Sequence, residues 1–162
     1  MDWRAIFWAG FVATTLAVAC ARLFRSFEWT ELTPAGQVGG LFVRDPRLPA
    51  AEVVGLLLLF GLGSTLVPAL YGTLLQGMDA LSWRGGLLVG IVHGALVVGL
   101  LPYVARHAAS VRHGTLPPPG RFGLRWGRGT PAGILLGHAI YGAVLGAALA
   151  AFSIPSALNL PR

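Results

Sequence analysis

Charged residues are scarce in this chain of 162 residues: there is no lysine, six residues are acidic, and the charged types together make up 11%. Hydrophobic residues make up 55%, and the mean hydropathy is +0.70. A soluble domain of this composition would not have enough polar residues to cover its surface. The scarcity of charge therefore excludes an ordinary soluble protein. Because nearly the whole chain is expected inside or beside lipid, we expect no separate soluble catalytic domain.

Cysteine is also nearly absent. The single residue, Cys20, excludes an intramolecular disulfide and any cysteine-rich metal site. It ends the segment LAVAC at 16–20, which faintly resembles a lipoprotein cleavage box. The positive charge expected at the start of a signal peptide is offset here, because Asp2 stands close to Arg4. We therefore expect the first apolar segment to be retained as a membrane helix.

Four apolar stretches are long enough to cross a membrane, since a helix needs roughly 20 apolar residues to cross a hydrocarbon core about 30 Å thick. They cover residues 5–24, 51–76, 86–105 and 131–152. We predict an all-α membrane protein with four transmembrane helices that form a single integral domain over residues 1–162. Pro68 lies inside the second stretch and predicts a kink, with Ser64 or Thr65 satisfying a freed carbonyl.

Two long connectors separate the stretches, a surface connector over 25–50 and a basic, proline-rich loop over 106–130. Both lie on the same predicted side, together with most of the arginines. That side has Arg22, Arg25, Arg44, Arg47, Arg106, Arg112, Arg121, Arg125 and Arg128, and the other side has Arg4, Arg84 and Arg162. Because arginine is enriched in cytoplasmic loops, we expect the two long loops to lie in the cytoplasm and both termini to lie on the opposite side of the membrane. The membrane expected is the inner membrane of a bacterium.

The isoelectric point near 11.1 would suggest a nucleic-acid ligand if the protein were soluble. Here the basic residues lie beside apolar spans, so membrane topology and anionic head groups explain them better, and no nucleic-acid partner is expected. Five arginines of the second loop are candidates for contact with lipid head groups or with an acidic partner, with Phe122 and Trp126 among them. They are Arg106, Arg112, Arg121, Arg125 and Arg128.

Small residues recur at spacings of four in the last two spans. In lipid, close approach of two backbones through small residues supplies the attraction that the hydrophobic effect supplies in water. We expect these helices to pack tightly, either on each other or on a partner chain. The positions are Gly86, Gly90 and Gly94 in the third helix and Gly133, Gly137, Gly142 and Gly146 in the fourth.

No charged residue falls in the central part of any span, which argues against an ion-coupled transporter, because such proteins generally hold charges at depth. The histidines that remain there are His93 and His138, accompanied by the tyrosines Tyr71 and Tyr141. We expect each histidine to form a hydrogen bond across a helix interface. Tyr141 follows His138 by three residues, which places both on one helix face.

Two histidines on neighbouring helices also raise the hypothesis of a haem b group that both would ligate. At 1.5 Å per residue, His93 and His138 lie on opposite sides of the midplane of the predicted spans, with a depth offset of about 9 Å. That offset is too large for two ligands of one iron. No cofactor is therefore predicted apart from bound lipid, although one histidine with a ligand from a second chain stays open.

The four spans resemble one another in pairs. AGFVATTLAV at 9–18 aligns with VGIVHGALVV at 89–98, and PALYGTLLQG at 68–77 aligns with HAIYGAVLGA at 138–147. A duplicated helical hairpin would produce these matches, but so would apolar helices of low complexity.

Three segments carry a resemblance to known proteins: the DWR start that runs into AGFVAT, the PALYG segment of the second helix and GHAIYGAVLGA in the fourth. They resemble a group of small bacterial four-helix membrane proteins of unknown function. The resemblance covers the helices and not the two long loops. It implies a four-helix membrane fold and brings no activity with it.

The chain contains no phosphate-binding glycine loop, nucleophile motif or metal-ligand cluster. The sequence therefore favours a non-catalytic integral membrane subunit that packs against other membrane chains of a larger assembly, such as an energy-converting respiratory or photosynthetic complex. Two alternatives of other classes stay open. One is a haem- or quinone-associated redox anchor that uses His93 or His138, and the other is a small transporter or channel.

Overall fold

The computed structural model describes residues 2–45 and 49–153, which form a bundle of helices. Arg47 and Arg162, two of the arginines counted above, lie outside the described residues. The helices are α1 (Trp3–Ser26), α2 (Pro34–Gly39), α3 (Ala50–Ser64), α4 (Leu66–Gly77), α5 (Trp83–Ala105), α6 (Ala109–Arg112) and α7 (Thr130–Ser153), with a 3-10 helix (Arg121–Trp126) before α7.

Four helical segments are long and apolar enough to cross a membrane. They are Trp3–Ser26, Ala50–Gly77, Trp83–Ala105 and Thr130–Ser153. Their bounds lie within three residues of the predicted ones at every end. The prediction of an all-α membrane protein with four spans is confirmed.

Side-chain caps define the start of two spans. The carboxylate of Asp2 accepts the N–H of Arg4 at 3.1 Å where α1 begins. The hydroxyl of Ser82 accepts the N–H of Gly85, also at 3.1 Å, where α5 begins. Because the first amide groups of a helix have no partner within it, each cap replaces a missing hydrogen bond and fixes where the span starts.

The second span is broken between α3 and α4 at Thr65, whose φ of −125° and ψ of −82° are not helical. Pro68 lacks the N–H that would bond the carbonyl of Ser64, so the helix is interrupted just before the proline. The hydroxyl of Thr65 donates to the carbonyl of Gly61 at 2.6 Å. Thr65 therefore compensates for part of the broken helix, as predicted, while the bend lies before Pro68 and not at it.

Among the described helices, α5 packs most extensively on α7, and the contact is made by glycines. A Cβ atom on Gly86 would collide with the backbone of Gly142, and one on Gly142 would collide with Gly86. Gly90 lies in the same way against the carbonyl of His138. The two backbones touch, which gives dispersion contacts that larger side chains would prevent. The glycines of this interface are Gly86, Gly90, Gly94, Gly142 and Gly146.

The other two predicted packing glycines face α1. A Cβ atom on Gly133 would lie 2.9 Å from the ring of Phe24, which is too close. A Cβ atom on Gly137 would lie 3.8 Å from the carbonyl oxygen of Ala17, an ordinary contact distance. Helix α7 is therefore packed between α5 and α1, and Gly137 has room for a methyl group where Gly133 has none.

The two hairpins of the suggested repeat make matching contacts. Gly10 of α1 packs on α4, and a Cβ atom there would lie 2.6 Å from the ring of Pro68. Gly90 of α5 packs on α7 at His138. In the alignment, Gly10 matches Gly90 and Pro68 matches His138. These contacts support a duplicated hairpin, which stays a prediction.

The two long connectors pack on each other at one end of the bundle. The hydroxyls of Thr30 and Thr130 share a hydrogen bond of 2.7 Å, and the N–H of Glu31 donates to the carbonyl of Trp126 at 2.6 Å. Trp126 is fully buried, and its indole N–H donates to the carbonyl of Pro117 at 2.7 Å. The expectation that Trp126 shares a docking surface with the arginines is wrong, because its ring is enclosed in the core under the loop.

Replacing Gly142 with valine should lower the stability of the protein by about 2 kcal/mol or more, because the added side chain collides with backbone that has no freedom to move aside. Thermal unfolding of the purified protein in detergent, followed by circular dichroism, measures the change. Gly137→Ala is the matched control on the same helix and should stay within about 0.5 kcal/mol of the wild type. Equal losses in the two variants would contradict the close backbone contact between α5 and α7.

Candidate functional site

Four predicted site residues meet between the spans: Tyr71 of α4, His93 of α5, and His138 and Tyr141 of α7. The hydroxyl of Tyr71 lies 3.0 Å from Nδ1 of His93. The two histidine rings stand edge to face with centroids 4.7 Å apart, and the two tyrosine rings do the same at 5.6 Å. We call these four residues the His–Tyr cluster.

The predicted depth offset between His93 and His138 is wrong. The offset was calculated from the distance of each histidine to the midpoint of its own span. The register between α5 and α7 is instead set by their glycine contacts, in which Gly90 lies at the level of His138. His93 is three residues from Gly90, so it lies within one helical turn of that level. The rings therefore touch.

One nitrogen of each histidine ring has a hydrogen-bond partner. The expected bond across a helix interface is formed by His93, with Tyr71 of α4, whereas the bond of His138 stays within its own helix. Nδ1 of His138 lies 2.8 Å from the carbonyl oxygen of Ile134, and since a carbonyl only accepts, Nδ1 carries the proton. In the neutral ring, Nε2 of His138 then keeps its lone pair. The bond between Tyr71 and His93 forms in either direction, depending on which nitrogen of His93 is protonated.

Tyr141 connects the His–Tyr cluster to the break in the second span. Its hydroxyl donates to the carbonyl of Gly63 at 2.8 Å. That carbonyl lies at the end of α3, where the helix no longer supplies a partner, and leaving it unpaired in hydrocarbon would be costly. The spacing along α7 predicts that Tyr141 lies beside His138. The hydroxyl of Tyr141 nevertheless donates its hydrogen bond to another span and not to His138.

Two buried hydroxyls near the same break have no hydrogen-bond partner within the described ranges. They belong to Thr14 of α1, which is 5% exposed, and Ser64 of α3, which is 1% exposed. Gly63 packs directly against the side chain of Thr14. The hydroxyl of Thr14 is not singled out by the sequence, although Gly10 and Thr14 have the four-residue spacing typical of a packed helix face. Of the two candidates for satisfying a freed carbonyl, Thr65 forms such a bond and Ser64 does not.

The His–Tyr cluster does not fit a haem held between His93 and His138. An iron shared by both would stand between the rings, with the macrocycle around it, whereas the rings are in direct contact. Nor do residues 2–45 and 49–153 contain a group of three or more His, Cys, Asp or Glu side chains arranged to hold a metal ion.

The five arginines of loop 106–130 are all exposed. Nε of Arg106 donates to Nε2 of His107 at 3.1 Å, and the guanidinium of Arg121 lies over the ring of Phe122 at 5.7 Å. These neighbours hold two of the guanidinium groups near the protein surface. Contact of the loop with lipid head groups or with an acidic partner stays a prediction.

Comparisons of the chain with protein-family models, with curated proteins and with solved structures found no match.

Replacing Tyr141 with phenylalanine should lower the stability by about 1 kcal/mol, because the carbonyl of Gly63 loses its donor while the ring contact with Tyr71 is kept. Unfolding of the purified protein in mixed micelles of increasing denaturing detergent measures the loss. Tyr103→Phe is the control, since Tyr103 is 62% exposed. A loss in Tyr103→Phe as large as that in Tyr141→Phe would contradict a structural role for the bond to Gly63.

Proposed function

We propose that the protein is a non-catalytic integral membrane subunit that packs against another integral membrane chain through the outer face of α5. The observation that carries the proposal is a pair of small residues on that face, Ala95 and Gly99. Both are exposed, and a Cβ atom on Gly99 would meet no atom within 4 Å. The four-residue spacing of small residues is the one through which membrane helices approach each other closely.

Large apolar side chains border these two small residues. Leu96, Leu100 and Tyr103 are 59%, 56% and 62% exposed on the same helix. Together with Ala95 and Gly99 they form a notch bordered on one side by large side chains, which we call the α5 face. A partner helix seated there would approach the small residues closely and gain dispersion contacts with the large side chains beside them.

The inner face of α5 is already occupied. Its glycines Gly86, Gly90 and Gly94 pack on α7 of the same chain. This glycine row therefore forms a contact within the bundle and is not available to a partner chain. The surface left for a second chain is therefore the opposite side of the helix, where the α5 face lies.

The wider setting belongs to the same proposal: a larger assembly such as an energy-converting complex, in the inner membrane of a bacterium, with the long loops in the cytoplasm. The pairing of Thr30 with Thr130 supports a common side for the two long connectors. The exposed arginines of loop 106–130 support an orientation toward anionic head groups. Membership of the family of small four-helix proteins stays part of the proposal and adds no activity.

Extraction of the protein with its surrounding lipid in polymer-bounded nanodiscs, followed by native mass measurement, tests the proposal. The wild type should carry at least one further membrane chain, and Gly99→Leu should lose it because leucine fills the notch. Gly61→Leu is the matched control, since Gly61 is an exposed glycine of α3 with no atom within 4 Å of its added Cβ. A wild type without any accompanying chain, or Gly99→Leu with its partner retained, would contradict the proposal.

A second candidate function is the haem- or quinone-associated redox anchor. The feature that favours it is the hydrogen bond from Nδ1 of His138 to Ile134, because ligand histidines are commonly held in this way with Nε2 left to bind. For the haem-binding form of this function, the ring contact favours one histidine that acts with a ligand from another chain.

The absorbance spectrum of the nanodisc preparation separates the two functions. Under the subunit proposal we expect no Soret band, and the mass should contain no bound haem or quinone. A Soret band that disappears in His138→Ala and persists in His107→Ala would favour the redox anchor. His107 is a suitable control because it is an exposed histidine outside the spans.

A further inference from the structure

An open cleft lies where α1 ends and α3 begins, with the short helix α2 along one side. Its outer part has a volume of about 330 Å³ and is lined by Arg25, Gln37, Glu52 and Ser110 among others. An adjoining cavity of about 150 Å³ shares Arg25 and Glu52 with it and continues between α1 and α3. We call the two cavities together the α1–α3 cleft.

Opposite charges line the α1–α3 cleft without neutralising each other. Arg22 and Arg25 come from the last turns of α1, and Glu52 comes from the first turn of α3. All three side chains are exposed, and among residues 2–45 and 49–153 no ion pair joins them. A ligand with one anionic and one cationic group forms ion pairs with both walls of the cleft. Its anionic group contacts a guanidinium, and its cationic group contacts the carboxylate.

Gln37 adds a buried acceptor to the same cleft. The residue is 7% exposed, and its Nε2 donates to the hydroxyl of Ser110 at 3.1 Å. Its Oε1 is buried and has no partner in the described part of the chain. A buried carbonyl oxygen without a donor is unfavourable, so a ligand with an N–H group is stabilised there. This favours a primary ammonium over a quaternary one, which has no N–H to donate.

The inner part of the cleft is apolar. Val18 of α1 and Leu56 and Leu59 of α3 line it on the membrane side of the charges. From Glu52 to Leu59, α3 runs about 10 Å toward the centre of the bilayer. A hydrocarbon chain attached to the charged group would lie along these side chains, whereas a small soluble ligand would leave them uncovered.

From these features we infer that the α1–α3 cleft binds a phospholipid with a phosphoethanolamine head group. The phosphate lies against Arg22 and Arg25, the ammonium donates to Glu52 and to Oε1 of Gln37, and an acyl chain follows Leu56 and Leu59. No residue of α5 lines the cleft. The lipid site is therefore independent of the proposed protein contact through the α5 face, and a test of one proposal does not decide the other.

Lipid exchange with the purified full-length protein tests this assignment. The protein is equilibrated in mixed micelles with equal amounts of phosphatidylethanolamine, phosphatidylcholine and phosphatidylglycerol, and the retained lipid is quantified by mass spectrometry. Phosphatidylethanolamine should be retained over each of the others by roughly fivefold, since each competitor loses one partly solvated polar contact. Equal retention of the three lipids, or a preference for phosphatidylglycerol, would overturn the assignment.

Charge-removing variants connect the selectivity to the cleft. Glu52→Gln should lower the ratio of phosphatidylethanolamine to phosphatidylglycerol by roughly fivefold, because the ammonium loses its carboxylate and the anionic lipid loses a repulsion. Arg25→Gln should lower the retention of all three lipids. Arg84→Gln, an exposed arginine at the opposite end of the bundle, should change neither. An unchanged ratio in Glu52→Gln, with helical content intact by circular dichroism, would overturn the inference.

Soluble phosphoethanolamine distinguishes a lipid from a free phosphoamine. Added at the same concentration as the lipid, it should leave the bound phosphatidylethanolamine in place, because it offers nothing to the apolar part of the cleft. Displacement at equal concentration would assign the site to the soluble compound and overturn the lipid assignment.

Discussion

Backbone contact between α5 and α7 at Gly86 and Gly142 is the constraint on which the rest of the bundle depends. In lipid there is no hydrophobic force between helices, so two spans hold together only as closely as their side chains permit. Once the glycines interlock, the register between the two helices is set. His138 then comes beside His93, and the remaining face of α7 is turned to α1.

The break in the second span is the second organising feature, and the His–Tyr cluster is its counterpart. Pro68 interrupts the helix, the carbonyl of Gly63 is left without a helical partner, and Tyr141 supplies the missing donor from another span. Because an unpaired carbonyl is costly in hydrocarbon, this bond holds α7 against α3, and the ring contact between Tyr141 and Tyr71 adds α4. The histidines and tyrosines of the His–Tyr cluster thus serve first to satisfy one another and the backbone.

With the interior occupied in this way, the surfaces available to other molecules lie outside it. The α5 face offers a row of small residues beside large apolar ones, and the α1–α3 cleft offers opposite charges next to an apolar cavity. The two surfaces differ in chemistry and share no residue. One is therefore suited to another protein chain within the bilayer, and the other to a lipid at its edge.

The sequence by itself determined the number of spans and their approximate ends, because a bilayer requires about 20 consecutive apolar residues whatever the helices later contact. It also identified the glycine rows, since their spacing is local. Only the tertiary structure decided that Gly86 meets Gly142 within the chain, that His93 touches His138, and that Trp126 is buried. The register between helices depends on contacts between residues far apart in the sequence, which local spacing does not reveal. The α1–α3 cleft could not be predicted from the sequence for the same reason, because its walls come from separate helices.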